Sequence, residues 1–257
     1  RGPRRTRADR RMTADRVALV TGASRGIGKA TAHRLAADGF DAVLAARSGD
    51  ELRAVADDIE DAADVTAHAV PTDVTDPDAV EALVDTTLER FGRLDATVVN
   101  AGVGERRNVP LADLSVEEFR TVRATNVDGA FYTTRAVLDH LRDTDGTLVF
   151  VGSYKGKYPS TSTPVYAASK WWLRGFAQSV AGRAGSDGVA VSLVNPTGVP
   201  TSFGRDTREQ ENADLLADRD VISAGDVADA IATAVGQDSP GAITELDLFR
   251  RDIYERF

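Results

Sequence analysis

The sequence of 257 residues contains no cysteine and only three histidines, His33, His68 and His140. Disulfides and thiolate ligands are excluded, and three widely separated histidines do not favour a zinc site, so we expect no metal. No apolar run approaches the about 18 residues of a membrane span, and no apolar segment follows the basic N-terminus as in a secretory signal. We expect a cytoplasmic protein with no membrane contact.

Basic residues are in the minority, with 31 Lys and Arg against 40 Asp and Glu and a formal net charge of -9. A surface of this sign repels nucleic acid, so we expect no nucleic-acid partner. The bases are almost all Arg and the acids mostly Asp. An acidic proteome adapted to high salt and a GC-rich genome both account for this bias, and both remain open.

Residues 1–12 are basic, lack apolar periodicity and end at Met12, the only methionine. We expect a disordered tail or sequence upstream of the natural start, with a basic arm that binds nucleic acid as the alternative. No linker or internal repeat interrupts the remainder. Residues 13–257 are therefore expected to form a single domain.

Short apolar runs then alternate with longer helical patterns. The runs that predict strands are 17–21, 41–46, 65–70, 96–100, 147–151, 189–195 and 243–249, and the helical patterns are 27–38, 51–61, 77–91, 116–134 and 165–182. Regular alternation indicates parallel strands joined by right-handed crossovers, and strands apolar on both faces indicate helices on each side. The expected fold class is α/β: a single-domain, Rossmann-like, doubly wound sheet of seven parallel strands.

A glycine-rich turn, TGASRGIG at 21–28, joins the first strand to the first helix. Gly22 permits a tight turn, Gly26 lets backbone approach a pyrophosphate, and Gly28 allows close helix–strand packing. The N–H groups of the helix N-terminus attract phosphate. In this strand–turn–helix context the pattern predicts a dinucleotide site, with Ser24, Arg25 and Ile27 as further contacts.

Tyr166 and Lys170 share one helix face because they are four residues apart. Free tyrosine titrates near pKa ~10, and an ammonium one turn away favours the phenolate. Ser153 follows the fifth strand, at the edge where parallel sheets bind ligands, and can donate to a substrate oxygen while Tyr166 transfers the proton. Taken alone, a surface Tyr–Lys pair and a strand-terminal serine are commonplace.

Taken together, the motifs resemble the short-chain dehydrogenase/reductase family in its compact form, from about Asp15 to the C-terminus. The matching residues are TGASRGIG, Asp73, NAG at 100–102, Asn126, Ser153 and YAASK at 166–170. The resemblance implies an oxidoreductase that interconverts a carbonyl and a secondary alcohol with a nicotinamide cofactor. It further implies that Tyr166 is the acid/base, that Lys170 lowers its pKa and holds the ribose, and that Ser153 orients the carbonyl. Asn126 is expected to interrupt its helix and to bind a water that supports a proton relay.

The resemblance also implies further cofactor contacts and an assembly. The contacts are Asp73, Val74, Asn100, Ala101, Gly102, Pro196, Val199 and Thr201. Residues 202–222 occupy the place of a substrate lid, with an ordinary surface insertion as the alternative. A homodimer or homotetramer is expected, with a small carbonyl or alcohol compound as substrate.

The end of the second strand bears on the choice of nicotinamide cofactor. In the family, NAD-specific members carry a carboxylate there, whereas this chain reads Ala45-Ala46-Arg47-Ser48. The Arg47 guanidinium suits a 2′-phosphate, and Arg25 is placed to help. We expect NADP(H) to be preferred over NAD(H), with two solvated arginines as the alternative.

Three points stay open. We interpret Lys155 and Lys157, two of four lysines, as a solvated loop, with attraction of an anionic substrate as the alternative. Of Trp171 and Trp172, which point about 100° apart on a helix, one is expected in a core or subunit interface and the other partly exposed. The competing functions are a non-catalytic NADP(H) sensor on the same fold, and an epimerase or lyase, which the short segment after Thr201 disfavours.

Overall fold

The computed structural model describes residues 16–208, 210–217, 221–251 and 253, so the expected tail at 1–12 lies outside the described residues. Seven parallel strands form one sheet in the order β3-β2-β1-β4-β5-β6-β7, which confirms the predicted fold class. The strands are β1 Val17–Thr21, β2 Asp41–Ala46, β3 Ala67–Pro71, β4 Ala96–Val99, β5 Thr147–Val151, β6 Ala190–Pro196 and β7 Glu245–Leu248.

Helices cover both faces of this sheet. They are α1 Gly26–Ala37, α2 Gly49–Ala62, α3 Pro77–Phe91, α4 Val116–Arg123, α5 Gly129–Arg142, α6 Pro164–Ala184, α7 Asn212–Leu216 and α8 Ala224–Val235. One layer of the core packs α1, α2 and α8 against the sheet, and the other packs α3, α5 and α6. None of the described helices combines the length and apolarity needed to cross a bilayer.

Strand β1 shows why a continuous apolar run forms a central strand. Val17 and Leu19 pack into one layer of the core, whereas Ala18 and Val20 pack into the other. Side chains alternate along a strand, so both faces of this run must be apolar when helices cover both faces. Between β3 and β4 the chain crosses to the other side of β1, and a crevice opens at the carboxyl ends of the strands where the order reverses.

The predicted helix at 116–134 is divided in two. Ser115 and Glu118 form a capping box that starts α4, and a π-helical turn at Ala124–Asp128 separates α4 from α5. Asn126 lies within that turn, where its side chain is buried. The helix expected over 116–134 is thus interrupted at Asn126, whose side chain makes the polar contacts described below.

The two adjacent tryptophans are both exposed on the single chain. Trp171 and Trp172 are 48% and 37% exposed, so neither lies in the core of the single chain. Trp172 stacks on Phe176, with ring centroids 4.8 Å apart, and the nearby Phe131 is exposed too. Both rings therefore lie on an outer face of α6, because the buried face of that helix is occupied by residues such as Leu173 and Ala177.

Candidate active site

A cleft of about 1010 Å³ opens at the carboxyl ends of the strands. Its walls come from the segments that follow each of β1 to β6, including the lid segment after β6. Ligands bind at this edge in open parallel sheets, because the loops there converge where the strand order reverses. The volume lies at the upper end of the range of small-molecule sites.

The glycine turn has the backbone that its sequence predicts. Gly22 and Gly26 have φ values of 68° and 57°, in the left-handed region that other residues rarely adopt. Gly28 packs so closely under the turn that an added Cβ would collide with the Gly22 carbonyl. The turn therefore leaves backbone N–H groups at the start of α1 open to the cleft.

Asn100 holds this turn in place. Its Nδ2 donates to the carbonyl oxygens of Thr21, at 2.9 Å, and Gly22, at 3.2 Å. The Thr21 hydroxyl in turn accepts a hydrogen bond from the backbone N–H of Asn100 at 3.0 Å. The Asn-Ala-Gly motif thus ties the end of β4 to the end of β1, besides lining the cleft floor.

The structure brings almost all of the expected cofactor contacts together. The residues that line the cleft are Gly22, Ser24, Arg25, Gly26, Ile27, Arg47, Asp73, Val74, Asn100, Ala101, Gly102, Tyr166, Lys170, Pro196, Val199 and Thr201. Gly28 instead lies beneath the turn. Asp73 is exposed and accepts hydrogen bonds from the amide and hydroxyl of Thr75.

Arg25 and Arg47 lie at one end of the cleft and share an acidic neighbour. The Asp206 carboxylate accepts a hydrogen bond from Arg25 Nη2 at 2.7 Å and lies 3.8 Å from Arg47 Nη2. The hydrogen bond from Arg25 holds the pKa of Asp206 below its ordinary value. Arg25 Nη1 is buried without a partner among the described residues. This end of the cleft therefore suits a bound anion.

Tyr166 and Ser153 meet at the other end of the cleft. Burial raises the pKa of Tyr166 to about 12, and the hydrogen-bonding contact with the Ser153 hydroxyl acts in the opposite direction. Ser153 is itself buried, and its Oγ accepts from the Lys155 amide at 3.2 Å. In this form the phenol is protonated at neutral pH.

Lys170 lies one turn after Tyr166, as the spacing predicts. Its Nζ is 5.7 Å from the centre of the Tyr166 ring and donates to the Val151 carbonyl at 2.7 Å. Burial lowers the pKa of Lys170 to about 8. An ammonium has three donors, so two remain after the contact with Val151.

Asn126 does not line the cleft but supports it from below. Its Oδ1 accepts from the Val103 amide at 2.9 Å, and its Nδ2 donates to the Val103 carbonyl and to Ser169 Oγ, each at 2.9 Å. Ser169 immediately precedes Lys170 on α6. The π-helical turn thus connects the loop after β4 to the helix that carries the Tyr–Lys pair.

The segment after β6 covers the Tyr166 end of the cleft. The Phe203 ring packs edge-on against Tyr166 with centroids 5.5 Å apart. Thr207 donates to the Gly104 carbonyl at 2.6 Å, and Arg208 Nε donates to the Glu105 carbonyl at 2.9 Å. Described parts of the 202–222 segment therefore lie in the position expected of a lid.

Residues 16–212 match the family model of the short chain dehydrogenase. The chain belongs to the short-chain dehydrogenase/reductase family. It is accordingly an oxidoreductase that acts on alcohol or carbonyl groups with a nicotinamide cofactor.

Relatives of the short-chain dehydrogenase/reductase family agree in sequence and in fold. A trans-4-hydroxycyclohexanecarboxylate dehydrogenase of Sinomonas cyclohexanicum is 33% identical, over 79% of this chain and 85% of that protein. An alcohol dehydrogenase of the archaeon Thermococcus sibiricus, solved with 5-hydroxy-NADP, is 30% identical with a TM-score of 0.81, over 91% and 95% of the two chains. A 3-ketoacyl-acyl-carrier-protein reductase of Brucella melitensis, solved with NADH, is 27% identical with a TM-score of 0.81, over 92% and 98%. None of these relatives favours a non-catalytic sensor.

Sequence reasoning missed two residues near Tyr166, Glu105 and Arg208, and interpreted a third, Lys155, as solvated. Glu105 is 1% exposed and accepts hydrogen bonds from the amides of Val165 and Tyr166, at 2.8 and 3.0 Å. Lys155 is 8% exposed, so the interpretation as a solvated lysine was wrong. Arg208 reaches the site from the lid. Only Lys155 carried a signal, as a scarce lysine in the loop before Tyr166; the other two belong to no motif.

Metal ligands are not assembled anywhere in the described residues. Within 16–208, 210–217, 221–251 and 253, no three side chains of the His, Asp and Glu type are grouped as a metal ion would require. His33 and His68 lie on separate elements, α1 and β3.

Proposed function

We propose that this enzyme interconverts a carbonyl and a secondary alcohol with NADP(H), using Tyr166 as the acid/base. One observation carries the proposal: Ser153, Tyr166 and Lys170 converge at one end of a cleft whose other end holds Arg25 and Arg47. When bound, the nicotinamide exchanges a hydride with the substrate carbon. The protein supplies the proton and the orientation.

The protonation state of Tyr166 supports its role as the proton donor in carbonyl reduction. With a pKa of about 12, the phenol carries its proton at neutral pH and donates it to the substrate oxygen as charge develops there. Ser153 donates a hydrogen bond to the same oxygen. The Lys170 ammonium stabilises the phenolate left behind, because opposite charges favour the ionised form.

Lys170 and Asn126 have supporting roles in this proposal. With Nζ held by the Val151 carbonyl, the two remaining donors of Lys170 are available to a ribose hydroxyl and a water. The side-chain amide of Asn126 already makes hydrogen bonds through both its oxygen and its nitrogen. We therefore assign its part in proton relay to a water held at the π-helical turn rather than to the amide itself.

The preference for NADP(H) rests on the arginine end of the cleft. The buried Arg25 Nη1 lacks a partner among the described residues, and Arg47 follows β2 where no carboxylate stands. A guanidinium fork matches a phosphate in shape and charge. The turn that contains Gly22 and Gly26 fits a pyrophosphate, because neither residue has a side chain that would block its approach to the backbone. A side chain at either position would be strained.

The experiment is a calorimetric titration with NADPH and NADH of the wild type, Arg47→Asp and Tyr166→Phe. We expect NADPH to bind more tightly than NADH and the difference to vanish in Arg47→Asp. Tyr166→Phe keeps the ring and loses one hydroxyl contact, so it is expected to bind NADPH within about tenfold of the wild type. In turnover, Tyr166→Phe is expected to lose about 10²- to 10⁴-fold. Binding of neither cofactor by the folded protein would refute the proposal. The first substrates to screen are trans-4-hydroxycyclohexanecarboxylate and 3-oxoacyl thioesters.

We also propose that the enzyme is a homodimer or homotetramer. Exposed aromatic rings gather on α5 and α6, where Phe131, Trp171 and Trp172 form what we call the aromatic patch. Contiguous apolar surface of this kind is costly in water and marks contact with another chain. In the family this helix and its neighbour commonly pair between subunits.

A further inference from the structure

Two cations lie beside Tyr166 on the lid side of the cleft, and neither forms an ion pair with any acid in the described ranges. Lys155 Nζ is 6.0 Å from the centre of the Tyr166 ring, and Arg208 packs on Phe203, which contacts the same ring. We propose that Lys155 and Arg208 bind a carboxylate of the substrate, so that the enzyme acts on oxo- or hydroxycarboxylates. The inference rests on the function proposed above and names the substrate class of that site.

Lys155 is an ammonium buried without a compensating charge in contact. Only 8% of the residue is exposed, and Nζ donates to a neutral acceptor, the Thr163 hydroxyl, at 2.6 Å. The pKa of Lys155 is lowered to about 8 by burial first, and then by repulsion from Arg107 and Arg208. A buried amine of this kind weakens the fold, since an apolar side chain of similar size avoids the cost of desolvation. A bound anion removes that cost.

Arg208 is held in place at one end and open at the other. Its Nε donates to the Glu105 carbonyl at 2.9 Å, and its Cζ lies 5.0 Å from the centre of the Phe203 ring. Residue 104 must be glycine for this placement, because a Cβ there would collide with the Arg208 guanidinium. The fixed Nε leaves the terminal nitrogens to meet a carboxylate, a geometry in which arginine makes two parallel hydrogen bonds.

The balance of charge favours a single negative charge on the substrate. Glu105 lies in the same group, and its carboxylate is engaged by the amides of Val165 and Tyr166 at the start of α6. Among the groups that are not exposed, Lys155 and Arg208 with Glu105 leave one net positive charge; Arg107, whose charge acts on both cations, is exposed to solvent and is screened. A carboxylate matches that charge, whereas a phosphate dianion exceeds it. Lys157 is outside the group, because Glu245 and Asp247 already neutralise it at 2.9 and 2.5 Å.

The test uses three aryl ketones that differ in one substituent: 4-acetylbenzoate, 4-acetylbenzamide and 4-acetylphenyl phosphate. Their dissociation constants are measured by calorimetry on the enzyme saturated with NADP⁺, so that no reduction takes place. Wild type is compared with Lys155→Met, Arg208→Gln and the control Lys157→Met, which removes a neighbouring lysine already paired. Circular dichroism and NADP⁺ binding are checked for each variant.

We expect the carboxylate to bind at least tenfold more tightly than the amide and no more weakly than the phosphate. That preference is expected to fall to about twofold or less in Lys155→Met and in Arg208→Gln and to persist in Lys157→Met. If Lys155→Met does not fold, Arg208→Gln decides alone. Equal binding of carboxylate and amide by NADP⁺-loaded wild type would overturn the inference, as would tighter binding of the phosphate. Failure to bind NADP⁺ would instead count against the proposed function.

Discussion

Removing the carboxylate of Asp206 is expected to tighten NADPH binding while leaving NADH binding nearly unchanged. Asp206 lies between Arg25 and Arg47, the two cations to which we assign the 2′-phosphate. A phosphate that enters this site must compete with the lid's own carboxylate. The substitution Asp206→Asn keeps the size of the side chain but removes the charge, so it separates electrostatic competition from packing.

The size of the effect follows from the exposure of the three side chains. Arg25, Asp206 and Arg47 are 29%, 42% and 67% exposed, so solvent screens both interactions. Exposed ion pairs of this kind contribute about 0.2–1 kcal/mol each. Taking about 1 kcal/mol for the two together, the NADPH dissociation constant should fall about fivefold in Asp206→Asn. The gain should shrink at high salt, where screening is stronger.

Calorimetric titration with NADPH and with NADH measures the change in both dissociation constants. The control is Asp214→Asn, because Asp214 lies in the same segment and forms none of the ion pairs described above. The expected signature is a rise of about fivefold in the ratio of NADPH to NADH affinity for Asp206→Asn alone. Weaker NADPH binding would mean that Asp206 helps to seat the cofactor. An equal gain for NADH would mean that lid opening, not competition with phosphate, limits binding.

Three further predictions concern stability and assembly. Lys155→Met is expected to raise the free energy of unfolding at neutral pH by about 2 kcal/mol. The pKa of Lys155 is about 8 in the folded protein against 10.5 for the free side chain, so between these pH values the unfolded state binds more protons. The wild type therefore gains stability as the pH rises through that window. Denaturation curves should show that the advantage of Lys155→Met over the wild type shrinks by about pH 10. Glu105→Ala should lower the free energy of unfolding by about 3 kcal/mol, because two backbone amides at the start of α6 lose a charged acceptor. In urea titrations, a loss of less than about 1 kcal/mol would show that water replaces the Glu105 carboxylate as the acceptor. Trp171→Glu is expected to reduce the mass seen by light scattering to that of a single chain, whereas an unchanged oligomer would place the interface elsewhere.

The fold could be predicted from the sequence because its signals are local. Runs such as Val17–Val20 are apolar at every position, which in a parallel sheet means burial on both faces. The glycines at 22, 26 and 28 fix a turn by backbone sterics alone, and this requires no knowledge of distant residues. Element ends were less accurate: β3 is Ala67–Pro71 rather than 65–70, and β7 is Glu245–Leu248 rather than 243–249.

The candidate site was predictable only where a motif carried it. Tyr166 and Lys170 lie one helical turn apart, so their spacing alone predicts that they meet. Glu105 reaches the start of α6 from 60 residues away, a contact that no local pattern records. Arg208 stands in an arginine-rich segment, where nothing in the sequence separates a buried guanidinium from a solvated one. Lys155 was assigned to solvent because a polar loop surrounds it, although in the fold it is buried beside Thr163 and the Tyr166 ring.

Glu105 connects two parts of the candidate site. Its main-chain carbonyl anchors Arg208 of the lid, while its side chain holds the first turn of α6, which carries Tyr166. The position of the lid segment and the position of the proton donor therefore depend on the same residue. If the lid segment is replaced with that of a relative, the enzyme should remain active only when Gly104 and Glu105 are replaced with the relative's residues as well. The lid and these two residues therefore have to be exchanged together.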